Sequence, residues 1–370
     1  MSKSPTPSGE IRSLNTVRGV AALMVAVYHA PVLFAVSRTL PHAYLAVDLF
    51  FVLSGFVIAH AYGERIAGGM GAERFFQLRL ARLYPLLFLA TLAGFAFWAL
   101  KVATGRVDFD LASMVALPLN LMLLPARSGV AADGAAYPFV VQSWSIVWEV
   151  AMCLAFFAWT KWIKSGAWMI AAVAAVGLAF VAQARGGIDG GWTGASFWVG
   201  GLRALSAFWA GVTVHQLVSG KAAINRRAGL GVLAMAAGVL VYACGIGRTW
   251  WLADFACVAV AFPAIIAGAA LTRHRLLENR LGDRLGEASY SVYLLHGLTI
   301  DVLATALKAA PRLSGPAHLA LGAGWVGVLV GGSWVCWKLV ETPLRVFFSR
   351  TSPNRDWRFG VARVESLRAV

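Results

Sequence analysis

Long apolar runs recur along almost the whole chain, and they constrain the fold more than any other feature. A run of about 20 apolar residues crosses a bilayer as a helix, and in lipid only helices and closed barrels satisfy every backbone polar group. Length and apolar continuity predict spanning helices near residues 14–37, 43–61, 84–101, 144–163, 167–184, 198–218, 228–246, 251–271, 288–308 and 317–340. Composition agrees: 59% of the 370 residues are hydrophobic and 13% are charged, whereas a soluble domain carries about 25% charged residues. The expected fold is an all-α polytopic helical bundle of about ten transmembrane helices. One membrane unit at 11–345 is expected between a short leader at 1–10 and a basic tail at 346–370.

Segment 111–125 is short and is interrupted by Pro118 and Asn120, so it reads as a re-entrant or interfacial piece. The Lys and Arg residues arbitrate. With ten spans and an inside N-terminus most of them face the cytoplasm, and an extra span at 111–125 would invert that bias. Both termini are therefore expected in the cytoplasm. The first apolar run contains Arg18 and shows no small-residue cleavage site, so it is expected to stay as the first helix.

The net charge of +15 sits between apolar segments, not on a soluble basic face, which argues against nucleic acid as a partner. Cys153, Cys244, Cys257 and Cys336 all lie in apolar runs without ligand-like spacing, so neither a disulfide framework nor a metal site is expected.

Ionisable residues inside a span are expensive and are functional candidates by default. Arg18 and His29 lie in the first run, eleven residues and about three helical turns apart, which puts them on one face roughly 16 Å from each other. Such a face suits a cation that holds an anion near one surface and an imidazole that works deeper. Asp48 enters the second span ahead of Ser54-Gly55, a small pair of the kind that permits close helix packing. The loop before the third span brings Arg79 and Arg82 to one side of the cytoplasmic surface, where two guanidinium forks can grip phosphates or simply anchor the topology.

In the fourth span, Trp144-Ser145 precedes Glu149, placed about 8 Å below the outer boundary, within reach of His29. A carboxylate from Glu149 or Asp48 beside His29 would fix the tautomer of the imidazole for acid and base work, or form a buried structural pair. Tyr293 and His296, three apart near the cytoplasmic end of the ninth span, form a polar stripe suited to the route of a donor. Glu341, at the end of the tenth, is placed to orient Arg79 or Arg82 as structural support.

Taken in order and spacing, these motifs resemble the bacterial membrane acyltransferase type 3 family, the O-acetylases that modify cell-surface polysaccharides. The residues that carry the resemblance are Arg18 with His29, Phe50-Phe51-Val52-Leu53-Ser54-Gly55-Phe56, Arg79-Leu-Ala-Arg82-Leu-Tyr-Pro85, and Trp144-Ser145 with Glu149. Ser289-Tyr290-Ser-Val-Tyr293-Leu-Leu-His296 and Glu341-Thr-Pro343 complete the set, so that the match covers Ile11 to Arg345.

The resemblance implies a multi-pass protein of the bacterial inner membrane that moves an acyl group, most often acetyl from cytoplasmic acetyl-CoA, to a hydroxyl of a glycan or glycoside on the far side. It implies a catalytic His29, and a donor site at Arg18, Arg79 and Arg82, with Ser54, Tyr293 and His296 as further donor-side candidates and Trp144 and Ser145 as supports. No metal is expected to take part. Some relatives append a hydrolase-like periplasmic domain; here that step is expected to fall to a separate acyltransferase or polysaccharide-assembly partner, with membrane lipid around the bundle. Two other classes fit intramembrane Arg, His and Glu: a transporter or flippase for an anionic or lipid-linked solute, and an inert scaffold.

Overall fold

A computed structural model describes residues 11–36, 39–126, 134–221, 226–245, 250–272, 274–308 and 313–350. Among them the secondary structure is helical, relieved by a single isolated bridge between Ala135 and Thr193. Eight helices are long and apolar enough to cross a membrane. Two shorter apolar helices, Leu111–Leu121 and Gly229–Ala243, accompany them. The expected leader, and the basic tail beyond Arg350, lie outside the described residues.

The first expected span is broken. Helix α1 runs Arg12–Tyr28, and a second short helix, α2 (Pro31–Phe34), follows after His29 and Ala30. Pro31 explains the break: it has no N–H for the ladder, it disfavours helical backbone at the residue before it, and it suits the first turn of a new helix. His29 therefore caps α1, its backbone N–H still bonded to Val25 O.

Helices α3 (Ala46–Ala67) and α4 (Ala72–Ala103) follow. The stretch Arg74 to Arg82, expected as part of a surface loop, belongs to α4, which is continuous through Pro85. Segment 111–125 contains α5 (Leu111–Leu121), eleven residues long and N-capped by Asp110, whose carboxylate accepts from the N–H groups of Ala112 and Ser113. That is about half the length a span needs.

Helices α6 (Ser143–Trp162), α7 (Ala167–Arg185), α8 (Phe197–Val218) and α9 (Arg226–Ala243) continue the bundle. A π-helical turn joins α10 (Trp251–Ala256) to α11 (Phe262–Leu271), and α12 (Arg280–Leu307) comes next. A second π turn, Trp337–Glu341, joins α13 (Gly315–Cys336) to α14 (Thr342–Arg350) and sets Glu341 inward, 4% exposed. Single π turns of this kind locally re-aim a side chain.

The centre of the bundle is made by α1 against α12 and α3 against α8. Glycine permits the second contact: a Cβ at Gly55 would collide with the carbonyl of Phe208, and one at Gly211 with that of Val52. Helix α7 packs on the outside of α8 and leaves Trp168, Val173 and Phe180 exposed, as a lipid-facing helix does.

Candidate functional site

A pocket of about 100 Å³ lies where α1, α3, α4, α6 and α12 meet. Arg18, Arg79, Arg82, Ser54, Glu149, Ser145, Ser289, Tyr290 and Tyr293 line it, with Phe50 and Phe51 supplying apolar wall. Arg79 stands eight residues into α4, about 10 Å along its axis. It is buried among the helices, 4% exposed, and not in a surface loop. The reason is the earlier start of α4, which draws the arginine motif into the bundle.

At that depth a guanidinium needs a counter-charge. Arg79 Nη2 donates to Glu149 Oε1 at 2.6 Å, and Ser54 Oγ donates to the same oxygen at 2.8 Å. Arg79 Nε is buried with no acceptor among the described residues. Arg18 is aimed by the backbone: its Nε and Nη2 donate to the carbonyl of Gly286 at 3.1 and 2.7 Å. Tyr290 donates to Leu83 O, and Tyr293 and Ser145 share a hydrogen bond of 2.7 Å that ties α12 to α6. Glu341 accepts from Ser291 at 3.0 Å, and Arg82 is the cation that acts on it most strongly. Its expected partner Arg79 is taken by Glu149.

His29 is elsewhere, and the carboxylate expected beside it is not there. Glu149 is bound to Arg79 and Ser54, as above. Asp48 is sealed against Arg203 of α8, 2.6 Å from Nη2 and 3.0 Å from Nε, with side-chain exposures of 0 and 1%. Arg203 also donates to the carbonyls of Gly190 and Tyr44 and lies over the rings of Tyr44 and Trp144. Trp144 and Asp48 thus belong to one buried structural cluster.

The neighbours of His29 are aromatic. Tyr28 meets it edge-on, with ring centroids 4.8 Å apart, and His296 lies at 5.1 Å. His296 is the other displaced residue: α12 begins at Arg280, so residue 296 rides about 24 Å along the helix, next to His29 and away from the expected donor end. Gln142 Nε2 lies 2.8 Å from His296 Nε2, and His296 Nδ1 lies 3.2 Å from Val292 O. A carbonyl can only accept, so Nδ1 carries the proton and Nε2 accepts from the amide. The same logic applies to His29. Its Nδ1 is 2.9 Å from Val25 O, which fixes the tautomer and leaves the lone pair on Nε2.

A second cavity, of about 430 Å³, opens beside Tyr28 and Pro31, the residues flanking His29 and Ala30. Tyr28, Thr39, Tyr44, Arg185, Asp189 and Asp254 are among its lining residues. Asp189, not among the residues singled out above, lines this cavity and is close enough to His29 for their charges to interact. The available signal was its setting, a carboxylate in the glycine-rich run Gly186-Gly-Ile-Asp189-Gly-Gly immediately after a span.

Eight helices long and apolar enough to cross a membrane, around a pocket lined by three arginines, define a multi-pass membrane protein with a buried polar site. The acyltransferase 3 family model, described as an acyltransferase domain, matches residues 11–339, and the chain belongs to this family. It is also similar to "Protein 2 in picA locus" of Rhizobium radiobacter, 36% identical over 167 residues that make up 42% of this chain and 85% of that protein. No solved structure is matched. The protein is therefore a membrane acyltransferase, and a transporter is not the favoured reading.

Proposed function

We propose that the enzyme transfers an acyl group, acetyl first among candidates, from cytoplasmic acyl-CoA to a hydroxyl of an exported or cell-surface glycan, as a multi-pass protein of the bacterial inner membrane. The observation that carries the reading is a tautomer-fixed His29, its Nδ1 held by Val25 O, beside His296, whose ring neighbour Tyr293 lines the arginine-bearing pocket, while Tyr28, the residue before His29, lines a second cavity.

Arg18, Arg79 and Arg82 all line the pocket, and Arg79 Nε has no acceptor among the described residues. Guanidinium groups gathered around one pocket suit phosphate oxygens. Arg18, Arg79 and Arg82 would hold the donor's phosphates, and the donor, when bound, supplies a thioester. Ser54 and Glu149 keep Arg79 aimed. Tyr293 lines the pocket, and its ring lies 6.1 Å from His296, so the pocket and the histidine pair are separated by one aromatic layer.

At His29, Nε2 takes the proton of the incoming hydroxyl as its oxygen attacks the acyl carbon. The C–O bond forms, the C–S bond breaks, and the proton leaves with the thiol. A two-step order uses the same atom as nucleophile, with the acyl group resting on Nε2 before the hydroxyl arrives.

The test uses purified protein in lipid, acetyl-labelled CoA thioester and unacylated surface glycan. Ester-bound label in the glycan is the expected result. Movement of a solute with no CoA released would return the protein to the transport class. A pulse without acceptor separates the two orders: label retained on wild type and absent from His29→Ala means that the ring carries the acyl group.

A further inference from the structure

The second cavity has no residue assigned to a task by the transfer reading, yet it is constructed in two distinct layers. Its floor is buried and fully bonded. Asp254, 1% exposed, accepts from Tyr44 at 2.6 Å, from Tyr242 at 2.7 Å and from His42 at 3.0 Å. Its rim is open. Arg185 and Asp189, at either end of the glycine-rich turn after α7, are both exposed, and the guanidinium donates to the Asp189 backbone carbonyl, at 3.4 Å.

Two observations connect this cavity to the reacting nitrogen. Tyr28 lines it and touches His29 edge-on, and Asp189 acts electrostatically on the His29 ring. Tyr28 and Pro31, which flank His29 and Ala30 in sequence, are thus both part of the cavity wall.

We propose that this cavity is the acceptor site and that Asp189 and Arg185 are the residues that read the acceptor, an inference that rests on the acyl-transfer reading. A carboxylate with two oxygens matches a pair of neighbouring hydroxyls, and a guanidinium matches a ring oxygen or an acidic substituent beside them. Tyr28 and Tyr44, with centroids 6.2 Å apart and planes tilted by 51°, make an angled apolar wall for the C–H face of a sugar ring. The ligand class is thus a pyranose or similar cyclic polyol.

Volume narrows it further. About 430 Å³ is near the lower end of the range of pockets that enclose small organic ligands, so the site takes about one or two rings. The acylated residue is then a chain end, a side branch or a small glycoside, and the interior of a long polymer does not fit.

The decisive experiment compares wild type, Asp189→Ala and Arg185→Ala, each in lipid nanodiscs. Labelled acetyl-CoA is the donor, and surface polysaccharide from cells deleted for this protein, intact or cut to short oligosaccharides, is the acceptor. Each substitution removes a charge-assisted hydrogen bond, so the acceptor KM is expected to rise about tenfold or more while the donor KM stays within about twofold. Short oligosaccharides should be acylated as well as, or better than, the intact chain per chain end.

An unchanged acceptor KM in both variants overturns the proposal, as does label spread along the polymer interior. If wild type transfers no label to any acceptor, the acyl-transfer reading has failed by itself. Saturation-transfer NMR with the same oligosaccharides then decides the cavity separately: signal lost in Asp189→Ala supports a sugar site there, and signal absent from wild type or unaffected by the change refutes it.

Discussion

Two arginine–carboxylate pairs cross the middle of this bundle, and they are built differently. Arg203 and Asp48 exchange two hydrogen bonds, are 1 and 0% exposed, and have their remaining donors taken by backbone carbonyls and aromatic faces. Arg79 and Glu149 share one such bond, are 5 and 22% exposed, and leave Arg79 Nε without an acceptor among the described residues. The first pair is closed and locks α3 to α8. The second is open and lines a pocket. Desolvated charge is stable only when its bonding capacity is filled, and under the proposed function the open Nε of Arg79 is where the donor would complete the bonding.

Substitutions can break or sharpen that contrast, beginning with a residue that belongs to neither pair. His29→Ala should lower transfer by about 10² to 10⁴, the range for losing a positioned acid–base group, with thermal stability unchanged. Near-wild-type turnover of labelled acetyl-CoA into glycan would remove His29 from the chemistry.

Breaking the closed pair should act on stability instead. Asp48→Asn or Arg203→Leu strands one buried charge or donor set and should cost about 3–5 kcal/mol, read as a fall in melting temperature in detergent. Replacing both partners with apolar residues should recover much of that loss. If the single and double changes are equally mild, the locking role of the pair is wrong.

Gly55→Ala tests the same helix contact through packing alone. The added methyl group meets the Phe208 carbonyl, so α3 and α8 must separate, at about 1–3 kcal/mol. The Asp48 and Arg203 geometry should loosen with it, visible as faster hydrogen exchange in α8.

The open pair predicts a kinetic effect with little effect on stability. Arg79→Lys keeps the charge and loses the fork, so the donor KM should rise roughly tenfold with the acceptor KM unchanged. A rise in the acceptor KM would mean that the two cavities have been assigned the wrong way round.

The smallest effect is expected at Asp110, which caps α5 away from both pairs. The Ser113 hydroxyl, with the Ala112 N–H, holds its carboxyl below the usual carboxylate range. A depressed folded value means that the stabilisation is present above the unfolded value, near pH 4, and is lost as pH falls through the folded value. Protection factors of the Ala112 and Ser113 amides, taken against the intrinsic rate at each pH, should therefore fall on acidification through that window in wild type. In Asp110→Ala they should already be low at neutral pH.

Much of the bundle was legible because hydrophobic length is a local property. The apolar runs gave helices, and the rejection of 111–125 as a span agrees with an eleven-residue α5. Pro31 was visible too, but apolar continuity across it outweighed the break it imposes on α1. The arginine motif was legible as residues and misplaced as a loop, since the apolar run that announces a span begins only after Arg82 whereas the helix starts at Ala72. His296 moved toward His29 for the same reason, through the early start of α12.

Partner choice was least legible of all. Glu149, Asp48, Arg79 and Arg203 all stood out as charges that need company, and any of the carboxylates had the right height to reach His29. Pairing among helices distant in sequence depends on which faces pack together, and α3 against α8 at Gly55 and Gly211 is a decision of shape.

The sequence alone determined that this chain must lie in a membrane as helices, and which polar side chains would have to be accommodated there, because the cost of burying charge and backbone in lipid is paid residue by residue. Only the tertiary structure decided that His29 has aromatic rings for neighbours and a backbone carbonyl for its proton, and that Asp189 is close enough for their charges to interact. Those facts depend on distances between segments far apart in the chain, and such distances are set by the packing of helix faces, which no single segment contains.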